Sequence, residues 1–148
     1  MIDFVFKNWT SQKAPGRIFF KKILETAVKE LKLNKDFSIS VNLVGEKKIQ
    51  KLNKKYRHKD KPTDVLSFPL NSIFHIPYSI SQDFGDIFIC LSIAKNEAKR
   101  ENISIETKLA QLMVHGFLHL LGYEHESSEV SAKKMFRLET KILEQLKF

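Results

Sequence analysis

A chain of 148 residues, 43% hydrophobic and 28% charged, is expected to form one soluble domain, residues 1–148, with a buried core. It has no apolar run near the ~18 residues of a membrane span, and its one cysteine, Cys90, allows no internal disulfide and implies no disulfide-linked partner. The balance of 25 Lys+Arg against 17 Asp+Glu, net +8, fits either simple solubility or an anionic partner such as nucleic acid.

The opening residues, with Asp3 and no long apolar run, do not read as a secretion signal, so a reducing cytoplasm is expected. Ile2 to Phe6 alternates weakly and suggests a first strand. After Ala14-Pro15-Gly16, the residues Phe20, Ile23, Leu24, Ala27, Val28 and Leu31 recur at helical spacing. Phe37 to Leu43 alternates strictly and predicts a strand with one polar face. Lys47 to Tyr56 is helical, Val65 to Phe68 a short strand, and Asn71 to Phe84 an irregular connection. Asp86 to Leu91 predicts another strand, which makes Cys90 a buried, inert thiol, and a short helix follows over Ala94 to Arg100. Ser104 is placed to cap a helix from Ile105 to Leu121, with Glu106 in its first turn. Ser127 or Ser128 caps a last helix running to about Lys147. This order predicts an α+β domain, a small mixed sheet packed with helices.

Three of the five histidines fall between His115 and His125. Four helical residues turn roughly 400°, so His115 and His119 share a face within reach of one ion. Gly122 is positioned to end the helix with φ > 0 and bring His125 back toward the same point. Three neutral imidazoles with an open fourth position are a catalytic zinc arrangement. The other reading of the pair is a polar stripe, shared with Lys108 and Gln111, that faces solvent. The spacing resembles the metzincin protease pattern His-Glu-x-x-His-x-x-Gly-x-x-His. Gly116, however, stands where those proteases carry their general base, and proteolysis is not expected unless Glu124 or Glu126 substitutes for it.

The run His115-Gly116-Phe117-Leu118-His119-Leu120-Leu121-Gly122-Tyr123-Glu124-His125 resembles the signature of the YbeY bacterial endoribonucleases. So do Leu52 to Arg57, Lys61-Pro62-Thr63-Asp64-Val65-Leu66-Ser67-Phe68-Pro69 and Gly85-Asp86-Ile87, in the same order. Met135 and Leu138-Glu139 also fall where that family has a Met and a Leu-Glu pair. Glu124 departs from its usual Asp. The resemblance implies a cytoplasmic, metal-dependent endoribonuclease acting in ribosomal RNA maturation, notably at the 16S 3′ end, and in ribosome quality control. It implies one zinc ion or another divalent transition metal on His115, His119 and His125, a catalytic Arg57, and ribosomal RNA precursors and the small ribosomal subunit as partners.

Read without the family, Lys47 to Lys61 holds eight Lys or Arg and one acid, Asp60. Lys47, Lys48, Lys51, Lys54 and Lys55 cover one side of the wheel, and Ile49, Leu52 and Tyr56 the other. This is either a solvated face or a track for a phosphate backbone, with Lys51, Lys54 and Ser67 as candidate substrate contacts. Arg57 then supplies a planar, always-charged clamp for a phosphodiester, or else a surface ion pair. Glu139 lies inside the apolar stripe of the last helix and needs a partner. That partner is a core Lys or Arg, the favoured reading, or a ligand histidine that Glu139 orients. Asp64 and Asp86 read as turn residues, and His58 and His75 as non-ligands. The leading expectation is a zinc-dependent endoribonuclease preferring single strands. Its rivals are an RNA-binding ribosome-assembly factor with a structural metal, closed by Glu124 or Cys90, and a metallohydrolase of another substrate.

Overall fold

The strict alternation of Phe37 to Leu43 produces the strand at the heart of the sheet. The structure, a computed structural model, describes residues 2–34, 36–69, 82–123 and 128–148. Its strands are β1 (Ile2–Asn8), β2 (Phe37–Val44), β3 (Val65–Pro69) and β4 (Gln82–Cys90). Its helices are α1 (Arg17–Glu30), α2 (Glu46–Arg57), α3 (Leu91–Glu101), α4 (Ile105–Leu120) and α5 (Glu129–Leu143). The strands form one four-stranded sheet in the order β1-β2-β4-β3, parallel except where β3 meets β4. This is the expected α+β architecture.

On one face Phe37, Ile39, Val41 and Leu43 of β2 and Ile87 and Ile89 of β4 pack against α1 and α4. The predicted stripe of α1 buries Phe20, Ile23, Leu24 and Ala27 there. On the other face α2 covers the β3–β4 side, where Ile49 meets Leu66 and Phe68. Tyr56 lies with its ring 5.2 Å from Phe68 yet remains 39% exposed, less inward than the wheel suggested. Cys90 is buried as expected, in the cluster beneath α2.

Helix α4 is the central helix, buried over most of its length, with Leu109, Met113, Val114, Phe117 and Leu118 in the core. The Ser104 hydroxyl caps it by accepting from the Thr107 amide at 3.1 Å. Its far end closes on Gly122, whose φ is +97°. The Tyr123 amide donates to Leu118 O and the Gly122 amide to His119 O, both at 3.0 Å. These paired bonds end the histidine helix.

Several expected boundaries move. Strand β4 starts at Gln82, so the expected irregular connection ends earlier than Phe84; residues 70–81, including His75, lie outside the described residues. Asp86 is inside β4 rather than in a turn, and its carboxylate accepts from Ser40 Oγ across the pair β2–β4. Ser128 is the cap of α5, which ends at Leu143 rather than near Lys147. Among the described residues no helix is long and apolar enough to cross a membrane.

Gly116 sets how closely α4 can lie on the sheet. A Cβ added there meets Ser67 Oγ at 3.0 Å, Ile87 Cγ2 at 3.1 Å and Val65 Cγ2 at 3.4 Å. Ser67 Oγ meanwhile donates to Gly116 O at 2.9 Å, tying β3 to the helix backbone. At the position that carries a carboxylate in the protease pattern, even a methyl group would thus be in tight contact with β3 and β4. Gly116→Glu, which places the protease carboxylate against those same atoms, is expected to destabilise the protein by about 1–3 kcal/mol, the usual cost of overpacking. Denaturant unfolding checks this, and an unchanged midpoint contradicts the contact.

Candidate functional site

His115 and His119, one turn apart on α4, lie on its less buried side. Their rings stand edge to face, 4.5 Å between centroids, with Nε2 of each 3.0 Å from Nε2 of the other. The His115 Nδ1–H donates to Glu139 Oε1 of α5 at 2.5 Å. That bond fixes the tautomer and leaves the His115 Nε2 lone pair directed at His119. Glu139 therefore has a histidine as its partner, not the core Lys or Arg favoured from the sequence.

The donor set suits a transition-metal ion. Ligands about 2.0–2.1 Å from zinc in a tetrahedron lie about 3.3 Å apart, a few tenths of an ångström more than the two Nε2 atoms show. An acidic group on the remote nitrogen of a ligand histidine is the usual supporting arrangement. His125, the third expected ligand, lies outside the described residues, as do Glu124 and Glu126. Among the described residues no group of three or more His, Cys, Asp or Glu is arranged to hold an ion.

The histidine pair borders a cavity of about 540 Å³. Arg57, the last residue of α2, lines it together with Ser67, and so do Asn53, Lys59 and Lys61. Lys51 and Lys54 do not line it; Lys54 stands in solvent 3.8 Å from Asp60. Two of the cations that line it, Lys59 and Lys61, follow the helix rather than lie along it. His58 takes a left-handed conformation at φ 59° and turns the chain, Lys59 N then donates to Asn53 O, and Asn53 Nδ2 donates to Lys61 O at 2.8 Å. Cys90 is not among the residues lining this cavity.

A model of the family described as endoribonuclease YbeY matches residues 6–147. The endoribonuclease YbeY of Sulfurihydrogenibium sp. is 43% identical over 128 residues, 86% of this chain and 82% of that protein. That of Buchnera aphidicola subsp. Acyrthosiphon pisum is 37% identical over 148 residues, 99% of this chain and 90% of that one. This chain belongs to the endoribonuclease YbeY family. The solution structure of a Thermotoga maritima protein matches with a TM-score of 0.61 at 30% identity, over 97% of this chain and 87% of that one.

The sequence blocks that carried the YbeY resemblance converge in space. Asn53 and Arg57 come from the first block, Thr63 to Ser67 from the second, and His115 and His119 from the third, all on one cavity. Ile87, from the Gly85-Asp86-Ile87 block, lies behind Gly116 and supports the helix instead.

A carboxylate cluster borders the site. Asp64 accepts from the Val65 amide at 2.7 Å, as a turn residue should, and its side chain also faces Glu97. Lys108, which the wheel grouped with the polar stripe, is buried, with its ammonium 2.6 Å from Glu101 and 3.5 Å from Glu97. Burial works against that ammonium, but Glu101 and Glu97 outweigh it and raise its pKa. Burial and the Asp64 carboxyl push the Glu97 carboxyl above its ordinary value, although Lys108 pulls the other way. A raised carboxyl pKa means that the folded state holds its proton more tightly, so this group costs stability as pH rises above about 4.5. Glu97→Gln removes the titration. Its stability relative to the parent is expected to improve as pH rises from about 4.5, followed by thermal unfolding. A variant that loses ground over that range shows that the Lys108 pairing dominates.

Proposed function

We propose that this single-domain chain is a cytoplasmic, metal-dependent endoribonuclease that cleaves single-stranded segments of ribosomal RNA precursors. The observation that supports it is the meeting of Arg57, Lys59 and Lys61 with the His115–His119 pair around one cavity. Guanidinium and ammonium groups attract a phosphodiester, and a histidine pair oriented by a carboxylate suits an ion beside it. In this reading His115, His119 and His125 hold one zinc or similar ion. When bound, that ion supplies Lewis-acid polarisation of a phosphoryl oxygen and activation of water.

The chain's own residues do the rest. Arg57 clamps the phosphate through its planar donor set and steadies the charge that grows in the transition state. Lys59 and Lys61 draw the backbone in, a part assigned from sequence to Lys51 and Lys54. Ser67, whose hydroxyl proton is engaged by Gly116 O, has its oxygen lone pairs left to accept from substrate. Glu139 holds the His115 ring in place. The assignment of the site to 16S 3′-end maturation and ribosome quality control in the small subunit rests on the family resemblance.

The test is purified protein on single-stranded and structured RNA, with and without a chelator, alongside elemental analysis. The expected result is about one ion per chain, cleavage of single strands that a chelator abolishes, and loss of the ion in His119→Ala. Arg57→Ala is expected to slow single-turnover cleavage of bound RNA by ~10²–10³-fold. Parent-rate cleavage by that variant removes Arg57 from the mechanism. RNA binding without cleavage by the metal-loaded parent favours an assembly factor.

A further inference from the structure

Helices α4 and α5, with Asp64 and Val65 at the start of β3, line a second, open cavity of about 620 Å³. Asp64, Val65 and His115 line both cavities, so the two are neighbours across a wall that carries one of the proposed ligands. Their charges differ in sign. Among the described residues the first is bordered by Arg57, Lys59 and Lys61 against Asp64. The second is bordered by Asp64, Glu139 and Glu144 against Lys108, whose ammonium is already engaged by Glu97 and Glu101. A phosphate is drawn to the first and repelled by the second. What suits the second is the part of a nucleotide that carries no charge.

Among the described residues the rest of its lining includes the apolar or neutral Leu112, Leu143, Gln111, Thr140 and Phe136. Phe136, Glu139, Thr140 and Leu143 follow helical spacing, so the Phe136 ring lies on the same side of α5 as the carboxylate that holds His115. This ring is 68% exposed, while Met135 beside it is buried and anchors the helix. An exposed phenylalanine alone needs no explanation. One at the mouth of a cavity next to a cationic phosphate site is a platform, because every base offers a π-face.

We propose that this second cavity receives the nucleobase beside the scissile phosphate, stacked on Phe136, with the Gln111 amide facing the base edge. The proposal rests on the endoribonuclease reading and deepens it. In a single strand the bases are unpaired and free to splay onto an aromatic ring; in a duplex they are stacked away. The same subsite therefore gives a physical reason for single-strand preference, and its tolerance of any base follows from stacking.

The test is single-turnover cleavage by the metal-loaded enzyme of a short single-stranded RNA with one cut site. It is run for the parent, Phe136→Ala and Phe136→Tyr, and repeated with an abasic nucleotide at each position around the cut. Phe136→Ala is expected to raise the half-saturating concentration roughly 5- to 100-fold, with the loss concentrated there rather than in the saturating rate, and Phe136→Tyr to stay near the parent. One abasic position is expected to impose a similar penalty on the parent and almost none on Phe136→Ala. A parent that cleaves while Phe136→Ala keeps the parent's concentration dependence, or its full abasic penalty, overturns the subsite and leaves the endoribonuclease reading intact. A metal-loaded parent that leaves RNA uncut overturns both.

Discussion

The bond from His115 to Glu139 joins the two helices on which the site depends. Helix α4 is fixed by its core residues, and α5 is fixed against it by Met135 and Ile142. Where the two helices face each other, one carboxylate meets one imidazole at 2.5 Å. A partly buried carboxylate without a partner is costly, and so is a histidine whose two nitrogens are poorly matched. Each group answers the other's need, and the outcome is an Nε2 lone pair aimed at His119. Packing and the chemistry of the site are here the same interaction.

The close seating of α4 on β3 and β4 makes this geometry possible. Gly116 presents no side chain, so Ser67 and Ile87 come against the helix backbone, and the end of β3 is carried to the histidines. The same feature separates this chain from the protease pattern that its histidine spacing resembles. A side chain at that position meets Ser67 and Ile87 already at its first carbon. Charge is then partitioned around the helix, cations from the end of α2 on one side and carboxylates from α3 and α5 on the other, with Lys108 balancing the latter from within. A nucleotide has the matching asymmetry, a charged backbone and a neutral base.

Much of this was legible in the sequence because it is local. The i, i+4 histidines and the glycine that ends their helix follow from helical spacing and capping, and Arg57 stands out in a run of basic residues. The strict alternation of Phe37 to Leu43 marked the central strand for the same reason. Lys59 and Lys61 were missed as cavity residues because a helical wheel says nothing beyond the helix end. The left-handed turn at His58 and the Asn53 clamp are what bring them back. The partner of Glu139 and the Asp64–Glu97 contact depend on how α3, α4 and α5 and the turn before β3 meet, which no periodicity encodes. The burial of Lys108 was hidden likewise, since its partners Glu97 and Glu101 lie on another helix.

The central claim is that Glu139 holds His115 as a ligand for a metal ion. The most direct measurement is zinc affinity by competition with a chromophoric chelator, for the parent and for Glu139→Ala, with far-UV circular dichroism of both metal-free proteins. The expected result is an affinity lower by roughly 10- to 100-fold in the variant, with helix content unchanged. Equal zinc affinities in the two proteins contradict the account.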